Sequence, residues 1–405
     1  MRKLRWILAA SVVLAAIVMA TGLVAARGED AESPGVRLPG ARCVIDAIEY
    51  PSLQAALDAL PATGGAVRLP PGTFEITEPL RVGVSDVLIE GAGTATHIKN
   101  INTEGGSALV LQHPSGAENR KAELWRLRVA NLRLTGNPKS GHGIEARRIN
   151  EIFIEGVSVS HHGRDGIHLY FCYEDPRICD SLITYNGQTG LNLIGCHDIV
   201  VAANQFEENK DALHCTDGYN LCMTGNNLDD HLAHGVVIEN TYGSVVSGNM
   251  IEECNGTAIV LDRDCYGIAL SANVIAHNTT GGIDLRDAHG CTVSANTFTI
   301  VKRNAVRIGP ESGRITVCGN NFSDSYIGGD EVKRADNDRE ASGLVLAGAA
   351  DVAVVGNLFS SVGPKALAVE GEPSVRVLFG GNLLRDVSSD HDRLERALVE
   401  GNLED

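Results

Sequence analysis

The chain has 405 residues, a formal net charge of −17 at neutral pH, 45 glycines and only 4% aromatic residues. A surplus of negative charge this large excludes a general electrostatic footprint for nucleic acid and implies a solvated acidic exterior. Length, glycine content and the scarcity of aromatics favour one long solenoid over two globular domains.

Arg2, Lys3 and Arg5 precede an apolar run from Trp6 to Ala26, and Val24-Ala25-Ala26 offers a small-residue cleavage site. Residues 1–26 are therefore predicted to be a signal peptide that exports the chain to a secreted, periplasmic or cell-surface location, with an uncleaved anchor as the alternative. Residues 27–50 read as a linker. Ser52 can cap a helix whose stripe is Leu53, Ala56, Leu57 and Leu60, suited to plug the open end of a stack of strands. Gly64-Gly65 and Leu69-Pro70-Pro71-Gly72-Thr73-Phe74 follow it.

From the middle of the chain an asparagine recurs at Asn204, Asn226, Asn249, Asn273, Asn296 and Asn320, a fixed period of about 23 residues of the kind that marks a solenoid. Such a unit cannot bury its own apolar face, so successive copies must stack and share one core. Before each asparagine, apolar residues alternate with small ones, as in Ile268-Ala269-Leu270-Ser271-Ala272, and a Gly-Ile-polar-Leu segment follows, as in Gly282-Ile283-Asp284-Leu285. Both carry the two-residue period of a half-buried strand. Each repeat is expected to hold about three short strands and no helix. The asparagine is expected to turn a corner in the left-handed region and to hydrogen-bond along the stack.

This pattern, with the helix and the Pro-Gly-Thr-aromatic turn before it, resembles the right-handed parallel β-helix of the pectin-lyase-like superfamily over Pro51 to Val387. The resemblance implies an all-β solenoid of about 12 turns with short capping helices at its ends, the second within Ser389 to Leu398. Residues 388–405 then read as a cap or tail.

The period serves as a ruler for side chains. One outward row, one residue per repeat, reads Glu145, His168, Asn192, His214, Val237, Val260, Asp284, Arg307. A second, displaced by two positions along each strand, reads Arg147, Tyr170, Ile194, Thr216, Glu239, Asp262, Arg286, Gly309. His168, Tyr170, Asn192, His214 and Thr216 cluster over three turns, with Asp165 and Asp217 at the corners. Histidine titrates near neutral pH, so two of them can move protons on either side of a sugar ring, with Tyr170 as a stacking face or a phenolic proton. The alternative is a set of solvated polar residues on an exposed face. Glu239, Asp262, Asp284 and Arg286, with Arg263 and Asp287 at corners, form a second group. It suits glycoside hydrolysis if the carboxyls lie roughly 5–9 Å apart, calcium, or an ion-pair ladder. His161, His162, Arg164, Lys210, Asp211, His231 and His234 precede these strands and are expected on the rim. In β-helix lyases, which the resemblance brings in, a lysine or arginine often serves as the base beside a uronate carboxylate, so Lys210 is a candidate for that role, or a solvated loop lysine.

The interval from Asn320 to Asn357 exceeds one period, and the excess over Ser323 to Ser342 is expected to overhang the strip or to be a surface loop. Ten cysteines in an exported chain permit disulfides. Cys215 and Cys291 fall on inward positions, whereas Cys172, Cys179 and Cys196 are expected in corners where one bridge can form.

Polygalacturonases of the superfamily carry Asn-Thr-Asp, Asp-Asp, Gly-His-Gly and Arg-Ile-Lys on successive turns. Here Arg164-Asp165-Gly166 and Thr189-Gly190 stand at the first two places, so that hydrolase pattern is missing. Alginate epimerases carry Asp-Pro-His, and this chain has Asp175-Pro176-Arg177. The resemblance thus implies an exported polysaccharide lyase or epimerase acting on a uronate-containing glycan. His168, Tyr170, His214 and Lys210 would be catalytic, and Asp165, Asn192, Thr216, Asp217, Glu239, Asp262, Asp284 and Arg286 would bind substrate. Calcium is a candidate cofactor, the partner a polysaccharide, the chain a monomer. The competing expectation is a non-catalytic β-helix: a glycan-binding, cell-surface or periplasmic maturation protein.

Overall fold

Three parallel β-sheets of 18, 14 and 12 strands wind around one core in a computed structural model that describes residues 38–116, 118–323 and 342–404. The expected export segment over residues 1–26 and the insertion over 324–341 lie outside the described residues. The chain divides into Met1–Ala41 and Arg42–Asp405, and the solenoid is the second unit.

One turn shows how the sequence makes the coil. Val200–Ala202 lies in the first sheet, Gln205–Glu207 in the second and Asp211–Thr216 in the third, and the next strand, Cys222–Thr224, pairs in parallel with Val200–Ala202. Val201, Phe206, Leu213 and Cys215 point inward and are fully buried. Stacking like on like makes columns, of which Phe298, Phe322 and Phe359 are the clearest, with ring planes 2° and 4° apart and centroids 4.8 and 4.6 Å apart. Each buried ring contributes about 2–3 kcal/mol of hydrophobic stabilisation.

The asparagine column runs from Asn204 to Asn402. The Asn226 amide N–H and Nδ2 both donate to Asn249 Oδ1, at 3.0 and 2.9 Å, and Nδ2 also donates to Val201 O at 3.0 Å. The asparagines do not themselves turn the corner, contrary to expectation. The residue before each does, in the left-handed region: Ala203, Gly225, Gly248, Ala272, Ala295 and Gly319 have φ between 54° and 67°. Asparagine is required instead because its buried amide is saturated by the neighbouring turns, which a buried polar group needs.

Helix α1, Leu53–Asp58, is capped by Ser52 Oγ, which accepts from Ala55 N at 3.1 Å, and buries Leu53, Ala56 and Leu57. The other end differs from expectation. Leu394–Glu395, Leu398–Glu400 and Leu403–Glu404 are strands, not a helix, because Leu394, Leu398 and Leu403 pair with Ser374, Leu378 and Leu383 of the turn below. At the start, Cys43–Asp46 already pairs with Gly65–Arg68, inside the stretch read as linker. The solenoid therefore has about 14 turns rather than 12.

All ten cysteines are free thiols. Cys215 and Cys291 are buried as expected. Cys172 and Cys196 are inside the core rather than on a corner surface, their thiols facing Ala146 O and Leu169 O at 3.7 and 3.6 Å, and Cys179 lies in the first sheet, so the expected bridge is not formed. Among the described residues no helix is long and apolar enough to cross a membrane.

Candidate functional site

The third sheet carries the two rows that the period implied. Glu145, His168, Asn192, His214, Val237, Val260, Asp284 and Arg307 are paired one after another, and Arg147, Tyr170, Ile194, Thr216, Glu239 and Asp262 form the parallel row. Arg286 lies just past its strand, Gly281–Leu285.

His168 is not a solvated surface residue: only 9% of it is exposed. Its Nδ1 lies 2.9 Å from Asp165 Oδ2, and Asn192 Nδ2 donates to the same oxygen at 3.0 Å. Asp165 Oδ1 accepts the Thr189 N–H at 3.1 Å. Burial alone would raise the Asp165 pKa. The nearby His142 ring and the hydrogen bonds from His168 and Asn192 outweigh it and hold the carboxyl well below the usual carboxylate range. An ionised Asp165 fixes the proton on His168 Nδ1, so Nε2, which has no partner among the described residues, presents its lone pair. Asn192 thus orients Asp165 with one of its two amide N–H donors.

His142 completes the cluster, its ring centroid 4.5 Å from that of His168 and its Nδ1 3.2 Å from the Asp165 amide nitrogen and 3.3 Å from Asp165 Oδ2. Sequence reasoning missed it. The signal was present, since His142 stands one full period before Asp165, but it precedes the Gly-Ile-polar-Leu segment from which the rows were counted. Glu145 lies beside it, accepting from Ser107 Oγ at 2.8 Å and from Arg147 Nε at 2.7 Å. Burial opposes ionisation of Glu145, but those two bonds and the Arg147 charge keep its pKa low. Tyr170 packs under the guanidinium groups of Arg147 and Arg148, 5.2 and 5.7 Å from its ring centroid. Arg147, ion-paired with Glu145, and Arg148 therefore border the His168 cluster on one side.

Two turns on, His214 Nε2 is 3.2 Å from Glu239 Oε2, which also takes Arg263 Nη1 at 3.2 Å and Thr216 Oγ1 at 3.5 Å. His214 is thus tied into an ion-pair network separate from the Asp165 cluster. Asp217 is exposed at the corner and accepts from Asn240 Nδ2 at 2.8 Å. Lys210 is exposed and makes no ion pair among the described residues. The second acidic group is an ion-pair ladder: Arg286 Nε meets Asp284 Oδ2 at 2.9 Å, Arg286 Nη1 meets Asp262 Oδ2 at 3.5 Å, and Arg307 Nη1 meets Asp284 Oδ1 at 3.6 Å.

The rim is corrected in part. His162 and His231 are buried in a second corner column with Asn186, Asn209, Cys254 and Asn278, and do not face the strip. Burial pushes their pKa values down to about 3 and about 4. Asp211 is also buried and accepts the His234 N–H at 2.8 Å. His161 stays outside and stacks on Tyr185 at 5.2 Å. Beside the other margin runs an aromatic column of Tyr173, His197, Tyr219, Tyr242 and Tyr266, with centroid spacings of 4.5, 4.5, 5.6 and 6.5 Å. Four of the chain's 8 tyrosines thus stand along this corner.

Fold and register define a parallel β-helix repeat protein. A family model described as periplasmic copper-binding protein (NosD) matches residues 188–363. Solved structures of similar fold include the A-module of the mannuronan C-5 epimerase AlgE4 from Azotobacter vinelandii, at TM-score 0.60 and 18% identity over 82% of this chain and 99% of that one. The catalytic unit of a GH87 α-1,3-glucanase from Streptomyces thermodiastaticus strain HF3-3 matches at TM-score 0.54 and 15% identity over 91% of this chain and 69% of that one. A variant of the periplasmic alginate epimerase AlgG matches at TM-score 0.50 and 11% identity over 90% of this chain and 84% of that one. Identities this low speak to the fold. No curated protein matches.

Proposed function

We propose that the chain is an exported carbohydrate-active protein that takes a uronate-containing polysaccharide along its third sheet and acts on it as a lyase or epimerase. The observation that carries this reading is the buried Asp165–His168 pair opening onto a strip bordered by Arg147 and Tyr170. A proton alpha to a carboxylate becomes removable when the carboxylate charge is neutralised and a base is held beside it. Arg147 supplies positive charge at one edge, and His168 Nε2, oriented through Asp165, is the base. The proton donor in this reading is Tyr170, two residues along the strand from His168. If that proton goes to the departing glycosidic oxygen, the chain is cleaved with a new unsaturated end. If one returns to the opposite face of the same carbon, the sugar is epimerised. Exposed tyrosine edges at Tyr219 and Tyr266, 43% and 49% exposed, give sugar rings an apolar margin.

The test is a panel of pectate, alginate and glycosaminoglycans, with and without calcium, followed by absorbance of unsaturated ends and by NMR of the uronate epimer ratio. Activity lost in His168→Ala, with unfolding temperature retained, supports the reading. A negative result across the panel moves the chain to the glycan-binding alternative.

A copper role, as in the description of the family model, fits the residues less well. Copper(I) selects thiolate and thioether ligands. Cys215 and Cys254, within the matched segment, are held as thiols by burial, their pKa values pushed up to about 12. Among the described residues, no group of three potential ligands includes a cysteine. Asp264, Asp287 and His289, within the segment, offer mainly hard oxygen donors.

A further inference from the structure

We propose that the third sheet carries a second sugar subsite far from His168, which takes one uronate unit between Arg303 and Asp284; this rests on the uronate reading above. The row that contains Thr189 and Asp211 continues to Thr257, then to Gly281, then to Asn304. Glycine interrupts a run of side chains there, and the gap opens a depression of about 220 Å³ lined by Thr257, Thr280, Ile283, Asp284, Arg303 and Arg307, among others. A Cβ at position 281 would come within 3.1 Å of Asn304 O, so the turns are drawn close at its floor.

The lining has two unused valences of opposite kind. Asp284 Oδ1 accepts no hydrogen bond within the protein and meets only the longer ion pair to Arg307 at 3.6 Å, while Asp284 Oδ2 is already held by Arg286 at 2.9 Å. Arg303 is exposed and has no ion pair among the described residues. Two guanidinium groups, Arg303 and Arg307, thus line the pocket against the single carboxylate of Asp284. The pocket is locally positive on a chain of net charge −17. A simple anion satisfies Arg303 but meets the Asp284 oxygen unfavourably. A neutral sugar donates a hydroxyl to Asp284 but leaves Arg303 unmatched. A uronate unit does both, with a hydroxyl donor for Asp284 and a carboxylate for Arg303, a charge-assisted pairing that arginine makes well.

The register gives the distance. From His168 to Asp284 there are five steps along the outward row: Asn192, His214, Val237, Val260, Asp284. At roughly 4.8 Å per step the separation is about 24 Å, and a linked pyranose unit advances about 5 Å, so the pocket lies about five sugar units from His168. A glycan seated at His168 fills it as well only when it is about six units long.

Size-defined oligomannuronates and oligogalacturonates of two to eight units, titrated calorimetrically into wild type and into Arg303→Gln, test this. The variant is expected to bind oligomers of six units or more about tenfold more weakly and the trimers unchanged, since one charge-assisted contact is lost only where the chain reaches it. Arg303→Lys should recover part of the loss. An equal loss at every length, or no loss with the longest oligomers, overturns the subsite while leaving uronate binding intact. Failure of the wild type to bind any oligouronate overturns the subsite and the uronate reading together.

Discussion

The Asp165 carboxylate lies 2.9 Å from His168 Nδ1, and both side chains are buried although His168 belongs to the outer face of the sheet. A buried charge persists only when its partners are in place. Asp165 has His168, Asn192 and the Thr189 N–H.

Asp165→Asn should therefore release the tautomer of His168. In wild type, ¹⁵N chemical shifts are expected to report the proton on Nδ1. In the variant the population should move toward Nε2–H, and any turnover should fall by about 10²-fold or more, mainly in kcat. An unchanged tautomer would remove Asp165 from the machinery.

The asparagine column predicts a position-dependent cost. Asn249→Ala leaves the Asn226 backbone N–H and side-chain Nδ2 without their shared acceptor in the core. At about 1–3 kcal/mol for each buried group left unmatched, a loss of about 3 kcal/mol is expected in denaturant unfolding. Asn402→Ala, at the open end where the acceptor is only part-buried, should cost less. Equal costs would show that the column does not act through burial.

How far the sequence reached can be judged residue by residue. Parallel strands repeat with so regular a spacing that counting off the period put His168 opposite Asn192 and Asp284 opposite Arg307, as the structure does. What counting does not give is depth. His162 and His231 looked like rim residues because polar side chains near corners usually are. The corner instead folds inward, and they take places otherwise held by asparagines. The same blindness hid the Asp165 cluster: its members come from three successive turns, and only the fold shows that one carboxylate serves His168, His142 and Asn192. The C-terminal end misled for another reason, since Leu394 and Leu398 fit a helical turn as well as the strands they form.

His231 gives a pH prediction. Burial lowers its pKa to about 4, below the usual histidine value of about 6.5. The neutral ring is thus favoured by folding. Its contribution is fully present above about pH 6.5 and is lost as pH falls toward 4. Nε2 has no partner, and Asn186 and Asn209 already bond to one another in the same column. His231→Asn is expected to fold, to extend that pairing, and to lose less stability between pH 6.5 and 4 than wild type does. A parallel pH profile for the two proteins would count against burial as the source of acid sensitivity.

Asp229 runs the other way. Burial first, and then repulsion from Glu252, Asp230, Glu253 and Glu207, raises its pKa to about 6. A carboxyl whose pKa is raised by folding favours the protonated form, so the stability it contributes is present below about pH 3.9 and is lost as pH rises through 6. Asp229→Asn keeps the shape and removes the charge. It should unfold at a higher temperature than wild type at pH 7.5 and at nearly the same temperature at pH 4, the difference growing across pH 5 to 7. Because this side chain is only half-buried, salt should shrink the gap at pH 7.5. If the variant gains nothing at pH 7.5 in low salt, the carboxylates of this corner do not repel one another in the folded chain.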